Sequence, residues 1–449
     1  MSSSATTLSI DDERPQTVST SERRRILAAC FVGATIEWYD FFIYGAAAAL
    51  VLAPQFFPNV SPLAGTLAAL ATFSVGFIAR PLGGMVMGHF GDRIGRKPML
   101  VLTLAIMGLS TLLIGLLPNY ESIGIAAPIL LVVLRLLQGF GVGGEWGAAV
   151  LMAVEHAPAR QRALYGAFPQ MGIPAGIILS VLAFIAVGSW LPSDAFQSWG
   201  WRIPFLLSAI LIVVGFVVRM TISESPVFQR LEKTREISRS PLLGVLMEHP
   251  MALIAGTATI IGSTTLGYLV LVYMPSYGTS VLKLPRNLML DFTLLAATIW
   301  FLMTLVFAHF SDRFSVRRVY LIAAAAGILW AIPFFMLVDS TSIPAMTLAY
   351  SVMAVVIAGL LGAQSALIAS LFPPAMRFSG ISIVANVGAI LGGGIAPLIA
   401  TSLYAYYGSS MAIALYVAAM VVISFLGTLY RSKHTDEFFA PSGPGKDLR

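Results

Sequence analysis

Five charged residues stand inside long apolar stretches of the sequence, where a charge is costly unless it has a partner or a task. They are Glu37, Asp40, Arg80, Arg135 and Glu145. A carboxyl group in such surroundings can take up and release a proton, because its charge depends on its neighbours. A guanidinium group presents a planar fork of donors that suits a carboxylate. These residue types therefore indicate proton and anion binding in an apolar setting.

The spacing of these residues brings several of them together. Glu37 and Asp40 are three residues apart and share one helix face, with Tyr44 one turn further. Glu37 and Arg80 each lie 12 residues from the charged end of their helix, about 18 Å at the helical rise, so we expect them at a similar depth. A second stripe follows 3-4-3 spacing and comprises Arg135, Gln138, Val142 and Glu145.

Elements long enough to cross a membrane must position these side chains. Of the 449 residues, 57% are apolar and 11% charged, whereas a soluble domain carries about 25% charged residues. Twelve stretches reach the length of about 20 residues that a membrane helix needs. They lie near 26–53, 63–90, 97–117, 125–154, 162–188, 201–220, 250–276, 287–310, 318–337, 343–371, 378–404 and 411–430. The chain is predicted to be an all-α polytopic membrane protein with 12 transmembrane helices.

The basic residues orient these helices. Most of the 27 lie at the termini, in the central loop and in short loops on one side, which predicts cytoplasmic termini in a cell membrane. Topology and contact with the lipid bilayer explain the net charge of +6, so nucleic acid is not required. We divide the chain into a disordered N-terminus (1–22), a first six-helix bundle (23–220), a cytoplasmic loop (221–249), a second bundle (250–431) and a flexible cytoplasmic tail (432–449).

Several kinds of site are not expected. A single cysteine, Cys30, and five scattered histidines argue against a metal site. No Gly-Lys-Ser/Thr follows the glycines of the fourth helix, which argues against a phosphate cradle. We find no nucleophile–base set, and therefore expect no enzyme activity, no cofactor and no obligate protein partner.

An internal repeat divides the chain into two halves. Residues 88–97, GHFGDRIGRK, recur as 308–317, AHFSDRFSVR, displaced by 220 residues. Both copies end a second helix of six and enter a short basic loop. Two parallel, pseudo-symmetric six-helix halves are therefore expected, with a substrate site between them.

These motifs resemble the major facilitator superfamily. The G-x-x-x-D-R-x-G-R-K loop stands at 88–97, R-x-x-Q-G-x-G-x-G at 135–143, and Glu-Ser-Pro at 224–226. The stretches EWYDF (37–41), FIARPLGG (77–84), QGFGVGGEW (138–146) and GWRIPF (200–205) are similar to the metabolite:proton symporter family of shikimate, 2-oxoglutarate, citrate and proline/betaine carriers. The resemblance implies the major facilitator fold and proton-coupled transport of a small molecule.

Proton coupling is assigned to Asp40 with Arg135, and Glu37 is a second candidate. Asp40 resembles a helix 1 aspartate that pairs with a helix 4 arginine in sugar:proton symporters. Released from Arg135 in a dry cavity, Asp40 would bind a proton. The alternative is a fixed ion pair that holds the two helices together.

Arg80 is assigned to the carboxylate of the substrate, and the alternative is a permanent Glu37–Arg80 pair. Other candidate substrate contacts are Tyr44, Gln138, Tyr268, Gln364 and Asn386. The second half offers neutral groups in its spans, so it is expected to supply shape and neutral contacts. Glu145 stays open between a functional and a structural role.

The loop motifs are assigned to a conformational latch. By resemblance, Asp92 meets the N-terminal end of helix 11 in the outward-facing state. The remaining latch candidates are Gly88, Arg93, Arg96, Lys97, Glu155, Arg162, Asp312 and Arg313. For the basic members, the alternative is a topology signal alone.

The function that fits best is proton symport of a small organic mono- or dicarboxylate by alternating access. A zwitterion such as proline or betaine is the first alternative. A nutrient sensor that binds without transporting is an alternative from another class.

Overall fold

The computed structural model describes residues 19–439, except 235, 237 and 239. Twelve long helices, α1 to α12, run through this part of the chain. They are α1 (Thr20–Ala47), α2 (Pro62–Ile94), α3 (Arg96–Leu116), α4 (Ala126–Glu155), α5 (Arg162–Trp190), α6 (Arg202–Met220), α7 (Pro250–Tyr268), α8 (Arg286–Arg313), α9 (Val316–Asp339), α10 (Ile343–Ala369), α11 (Arg377–Ala389) and α12 (Ser410–Leu429). Among the described residues, 11 segments are long and apolar enough to span a membrane, and the 33-residue α2 fills the remaining predicted span.

Three of these helices continue beyond a π-helical turn. The turns are Ala48–Leu52 after α1, Leu269–Tyr273 after α7 and Ile390–Gly394 after α11. Helical residues resume at Ala53–Phe56, Met274–Ser280 and Ala396–Tyr407. The turns after α1 and α7 begin 221 residues apart, close to the displacement of the sequence repeat. The repeat therefore reproduces this pair of backbone irregularities as well as the loop motifs, whereas the turn after α11 has no counterpart in the continuous helix α5.

Two six-helix bundles form, as the repeat predicts. In the first, α1 packs on α5, α2 on α4 and α3 on α6; in the second, α7 packs on α11, α8 on α10 and α9 on α12. The bundles meet along α2 with α11 and along α5 with α8. These two contacts are equivalent under the repeat, so the halves face each other across a pseudo-two-fold axis. This is the arrangement of the major facilitator fold.

Close backbone approach sets α4 against α2. A methyl group added at Gly143 would lie 2.0 Å from the Arg80 carbonyl oxygen, and one at Gly139 would lie 2.1 Å from that of Gly76. Only glycine permits these contacts, because any side chain would force the helices apart. The glycines of α4 thereby fix the position of Arg80 at the centre of the molecule.

The termini and the central loop depart from the sequence prediction. Helix α1 begins at Thr20, inside the segment 1–22 predicted to be disordered, because the Ser19 hydroxyl accepts a hydrogen bond from the Glu22 N–H (3.2 Å) and caps the helix. Residues 1–18 lie outside the described residues. Two short helices, Pro226–Thr234 and Pro241–Glu248, occupy the central loop.

The tail expected to be flexible contains a short helix, Lys433–Phe439, so the expectation is wrong for these residues. The helix is ordered because Thr435 and Phe438 are buried against the bundle. Residues 440–449 lie outside the described residues.

Candidate functional site

A cavity lies between the two halves, with about 820 Å³ of space between its walls when its open side is included. Helices α1, α2, α4 and α5 line it from the first half, and α7, α8, α10 and α11 from the second. Its walls are mostly apolar or aromatic, with Trp38, Phe42, Trp146 and Trp300 among them. The polar lining residues are Glu37, Arg80, Gln170, Ser263, Thr264, Tyr268, Gln364 and Asn386. A large apolar pocket with a few convergent polar groups is typical of a small-molecule site.

Among the described residues that line this cavity, Arg80 is the positively charged one. Its guanidinium carbon lies 4.9 Å from the ring centre of Phe41 and 4.7 Å from that of Phe77, which hold it by cation–π contact. Glu37 lines the same cavity, as the matching depths of the two residues predict. Among the described residues, however, no ion pair within 4.0 Å joins Glu37 to Arg80. The alternative of a permanent Glu37–Arg80 pair is therefore wrong for this conformation.

The second half contributes neutral groups to the cavity. The Ser263 hydroxyl donates to the Gln364 side-chain oxygen at 2.5 Å, which leaves the Gln364 amide nitrogen as a donor toward the cavity. Tyr268 packs its ring on Phe77, with centroids 5.9 Å apart, and so lies beside Arg80 across the junction of the halves. Among the described residues, the buried Trp300 Nε1–H has no hydrogen-bond partner. The second half thus provides donors and aromatic surface without charge.

Two hydrogen bonds close the cavity toward one end of the bundle. We call this end, which carries the loops between α2 and α3 and between α8 and α9, the basic end. Asn386 on α11 donates to the Gly143 carbonyl oxygen on α4 at 2.8 Å. Gln170 on α5 donates to the Ser365 hydroxyl on α10 at 3.1 Å. Each bond joins the two halves, so the halves must part here before the cavity can open to the basic end.

Asp40 lies away from the cavity, inside the first half. One carboxylate oxygen accepts from the Thr111 hydroxyl at 2.7 Å and the other from the Ser208 hydroxyl at 2.6 Å. Thr111 in turn accepts from the Gln138 amide at 2.8 Å, and the Gln138 oxygen accepts from Arg135. Arg135 and Asp40 are therefore connected through two intervening side chains. The expected direct ion pair is absent from the contacts between described residues.

Two predicted substrate contacts lie apart from this cavity. The Tyr44 hydroxyl hydrogen-bonds the Thr72 hydroxyl at 2.5 Å, and its buried ring packs under Arg135, 3.8 Å from the guanidinium carbon. Gln138 lines a smaller pocket that shares Glu37, Arg80 and Val142 with the cavity. Both side chains belong to the polar interior of the first half. Tyr44 shares a face of α1 with Asp40, Gln138 shares a face of α4 with Arg135, and both faces turn inward.

The ion-pair partner of Glu145 is a residue that we expected at the cytoplasmic surface. Arg219, near the end of α6 and counted with the basic residues on the cytoplasmic side, is buried and forms an ion pair with Glu145. The Thr103 hydroxyl also donates to Glu145 at 2.6 Å. Gly33 on α1 leaves the space that the Arg219 guanidinium fills. A buried acid without an obvious cation was the signal that could have revealed Arg219, since such charges need partners.

Matching carboxylates join the two halves at the basic end. Asp92, at the end of α2, accepts from the backbone N–H groups of Phe378 (3.2 Å) and Ser379 (2.9 Å) at the start of α11. Asp312, at the end of α8, accepts from those of Ala163 (2.9 Å) and Leu164 (2.8 Å) at the start of α5. Each acid thus caps a helix N-terminus of the opposite half, where a negative charge is favoured. The two acids are 220 residues apart in sequence, which is the displacement of the repeat.

An ionic cluster surrounds Asp92. Arg96 lies 3.4 Å from Asp92 and 3.5 Å from Glu155, and Glu155 also pairs with Arg377 of the second half at 3.4 Å. Arg377 was not among the predicted latch residues, although it ends the Pro-Ala-Met-Arg stretch at 374–377 that echoes 158–160. We call Asp92, Arg96, Glu155, Asp312 and Arg377 the latch.

The other latch candidates take different places. Gly88 lets α2 approach α11, since a methyl group there would lie 2.9 Å from the Ser379 Cα. The Lys97 ammonium donates to the Met220 carbonyl at 3.1 Å, and Arg162 packs on the Phe438 ring at 4.3 Å. Arg93 and Arg313 are exposed, which fits the topology interpretation of these two basic residues.

Glu224 also caps a helix. Its carboxylate accepts from the backbone N–H groups of Arg96 and Lys97, both at 3.0 Å, at the start of α3. The Glu-Ser-Pro motif therefore ties the end of the first bundle to the same basic loop as the latch. Among the described residues, no group of three or more His, Cys, Asp or Glu side chains is placed to hold a metal ion.

Comparison with known proteins identifies the class. The family described as sugar (and other) transporter matches residues 26–252. The proton:xylose symporter XylE superposes with a TM-score of 0.75 at 17% identity, over 91% of this chain and 95% of that one, which shows the shared fold. The protein is thus a transporter of metabolites in the major facilitator superfamily, with membrane-spanning helices. The proteins that it matches are transporters and not enzymes.

Relatives with higher identity narrow the family. The inner membrane metabolite transport protein YhjE of Escherichia coli K12 is 41% identical over 430 residues, 95% of this chain and 97% of that protein. The shikimate transporter of the same strain is 41% identical over 418 residues, 92% and 95% of the two chains. OusA of Dickeya dadantii, a glycine betaine/proline/ectoine/pipecolic acid transporter, is 34% identical over 91% and 83%. The chain belongs to the metabolite transporter family of these proteins.

Proposed function

We propose that the protein is a proton symporter that carries a small organic carboxylate across the cell membrane by alternating access, with both termini in the cytoplasm. The proposal is carried by the cavity between the halves, where one guanidinium group, Arg80, and one carboxyl group, Glu37, face a mostly apolar and aromatic space with a few neutral polar groups. Arg80 binds the carboxylate, and the aromatic walls pack on the body of the cargo. The relationship of this protein to a shikimate transporter supports a ring-shaped acid as the cargo.

The latch supports alternating access. With the basic end taken as cytoplasmic, Asp92 and Asp312 hold the cytoplasmic ends of the halves together in this conformation. Two equivalent contacts on either side of the pseudo-two-fold axis can break together, so the halves can rock about the cavity. Opening would expose Arg80 to the cytoplasm and release the cargo.

A zwitterion is the second candidate. Glu37 stands in the same cavity as Arg80 and is not paired with it, so an acid could bind the positive end of the cargo while Arg80 binds its carboxylate. The rings of Trp38, Phe42, Trp146 and Trp300 add the aromatic surface that favours a quaternary ammonium. OusA and the proline/betaine transporters are relatives of this kind.

Uptake into proteoliposomes tests the proposal. Purified protein is reconstituted, a pH gradient is imposed, and the uptake of shikimate, benzoate, 2-oxoglutarate, citrate, L-proline and glycine betaine is compared. We expect a monocarboxylate to accumulate when the outside is acidic and to stop accumulating when an ionophore collapses the gradient. Accumulation of proline or betaine alone would favour the second candidate. Binding without exchange of any compound would indicate a sensor and contradict both.

A further inference from the structure

Glu37 and Asp40 are separated by less than one turn of α1, yet they occupy different environments. We propose that Glu37 is the acid whose protonation is coupled to binding of the carboxylate, and that Asp40 is a positioning residue of the first half. This inference rests on the proposed function, since it assigns the proton site of the same cavity. It departs from the sequence prediction, in which Asp40 came first.

Glu37 faces the space that the cargo would fill. Its side chain lines both the large cavity and the smaller pocket behind it, and Arg80 lines both as well. Among the described residues, Glu37 has no ion pair within 4.0 Å, so no salt bridge has to break before it changes protonation state. A proton can reach Glu37 by the same route as the cargo.

Asp40 is held differently. It is fully buried, and each of its carboxylate oxygens already accepts a hydroxyl hydrogen bond, from Thr111 and from Ser208. A proton on Asp40 would weaken one of these hydrogen bonds, because a protonated oxygen is a poorer acceptor than a carboxylate oxygen. The partners belong to α3 and α6, so the carboxylate ties α1 to two helices of its own half. Asp40, Thr111 and Ser208 are not among the residues that line the cavity.

The charge of the cavity explains the coupling. Among the described residues, Glu37 and Arg80 are the charged side chains that face the cavity, so its walls are neutral while Glu37 is ionised. A monocarboxylate would then bring one uncompensated negative charge into an apolar space, which is costly. When Glu37 takes up one proton from the outside, the cargo carboxylate pairs with Arg80 and the site stays neutral. Release to the cytoplasm reverses both steps, and one proton travels with each anion.

Reciprocity follows from this scheme. If protonation of Glu37 favours binding of the anion, binding of the anion must favour protonation by the same factor. The ionisable groups nearest Glu37 come from four other helices: Arg80 on α2, Arg135 and Glu145 on α4, Arg219 on α6 and Tyr268 on α7. Of these, Glu145 and Arg219 are paired with each other, and Arg135 donates to Gln138 in the smaller pocket. Arg80 lines both that pocket and the large cavity, so it is the cation that the proton and the cargo carboxylate share.

Proton uptake upon binding tests the inference directly. Shikimate and benzoate are added to purified protein in weakly buffered detergent solution, and a pH-sensitive dye reports protons taken up per anion bound. For the wild-type protein we expect uptake that rises with pH toward one proton per anion, because only an ionised Glu37 can take up a proton when the anion binds. Glu37→Gln should bind the anion with no proton uptake, because the amide resembles the protonated acid. Asp40→Asn should retain the wild-type ratio.

Transport assays provide the second measurement. In proteoliposomes, Glu37→Gln should exchange labelled for unlabelled anion at a rate independent of pH, yet fail to accumulate the anion. A gradient of one pH unit drives accumulation of about tenfold for a one-to-one symporter, so this loss is readily seen. Asp40→Asn should lower the rate and the thermal stability but still reach the wild-type accumulation ratio. Asp291→Asn, an exposed acid on α8, is the matched control and should behave as wild type.

The outcomes separate the inference from the function on which it rests. Gradient-driven accumulation by Glu37→Gln contradicts the assignment, as does loss of accumulation with retained exchange in Asp40→Asn; both leave symport intact. Binding of the anion by wild-type protein without proton uptake contradicts any coupling acid. Absence of carboxylate exchange in the wild type contradicts the proposed function itself. A Glu37→Gln protein that fails to fold is replaced by Glu37→Asp, which should restore coupling with altered affinity.

Discussion

The two halves bury very different numbers of charges. Among the described residues, eight buried acids and arginines belong to the first half: Glu37, Asp40, Arg80, Asp92, Arg96, Arg135, Glu145 and Arg219. Of the described residues in the second half, one such charge is buried, Arg377, and it lies at the basic end. The second half instead lines the cavity with Ser263, Thr264, Tyr268, Trp300, Gln364 and Asn386.

This difference shows what the repeat retains. The helix order, the π-helical turns after α1 and α7 and the acids that cap helices of the opposite half recur in both copies. The charges inside the helices do not recur. Symmetry is therefore retained at the contacts between the halves and lost in the charged interior of the first half. A second set of buried charges would add a desolvation cost without adding a function.

Removal of Arg80 is the most severe test of this comparison. Arg80→Ala should weaken carboxylate binding roughly 100-fold, since a hydrogen-bonded charge pair contributes up to about 3 kcal/mol. Isothermal titration against a monocarboxylate measures the loss, and Arg313→Ala, an exposed arginine of the second half, is the control.

The double variant Arg80→Ala/Gln364→Arg extends this test. It moves the cation to the wall of the second half, because both side chains line the cavity. Restored transport would show that the location of the charge is interchangeable between the halves. We expect restored binding at best, since Glu37 would no longer stand beside the cation.

The latch provides the next test, because here the halves should behave alike. Asp92→Asn and Asp312→Asn remove a negative charge from a helix N-terminus, which is worth up to about 2 kcal/mol in partly buried sites. Both variants should open the basic end. Asp92→Asn should have the larger effect, since Asp92 is fully buried and pairs with Arg96, whereas Asp312 is partly exposed.

Cysteine labelling measures this opening. In a Cys30→Ser background, Ala385→Cys places a thiol in the cavity, and an impermeant maleimide is added on the basic side of inside-out vesicles. We expect faster labelling in both latch variants, with Asp291→Asn unchanged. Wild-type labelling in Asp312→Asn alone would mean that the first half carries the latch as well as the charge.

The sequence predicted the scaffold better than the pairing of the charges. Span positions, the two halves and the common depth of Glu37 and Arg80 follow from apolar length, the 220-residue repeat and helical rise, which are local properties. The partner of Asp40 depends on how α1, α3 and α6 pack, and Thr111 and Ser208 carry no signal that distinguishes them from other hydroxyls in spans. Arg219 was misplaced because it stands in the last turn of α6, where a buried and an interfacial arginine look alike in sequence.

Removal of a neutral hydrogen bond made by the second half should have a smaller effect than removal of any of the charges above. Asn386→Ala removes the hydrogen bond to the Gly143 carbonyl, worth about 1 kcal/mol. It should speed labelling of the cavity from the basic side about fivefold while changing carboxylate affinity little. A loss of affinity as large as that of Arg80→Ala would place a binding role in the second half and weaken the comparison. Ser382→Ala, on the same helix one turn away, is the control.

The smallest effect is expected for Phe438, whose aromatic ring contacts an arginine of each half. Phe438, in the short helix Lys433–Phe439, packs under Arg162 at the start of α5 and Arg377 at the start of α11, with 4.3 Å and 5.1 Å from ring centre to guanidinium carbon. These are the two helix N-termini that Asp312 and Asp92 cap from the opposite halves. The ring therefore stabilises the closed basic end from both sides.

Phe438→Ala should speed labelling of the cavity from the basic side by about two- to fivefold, since a cation–π contact at a partly exposed site contributes roughly 0.5–1 kcal/mol. Phe438→Leu separates two explanations, because it keeps most of the apolar volume and removes the ring. If the leucine variant labels as fast as the alanine variant, the attraction between ring and guanidinium closes the latch. If it labels as slowly as the wild type, apolar packing of the tail against the basic end is sufficient, and the attraction between ring and guanidinium adds little to the latch.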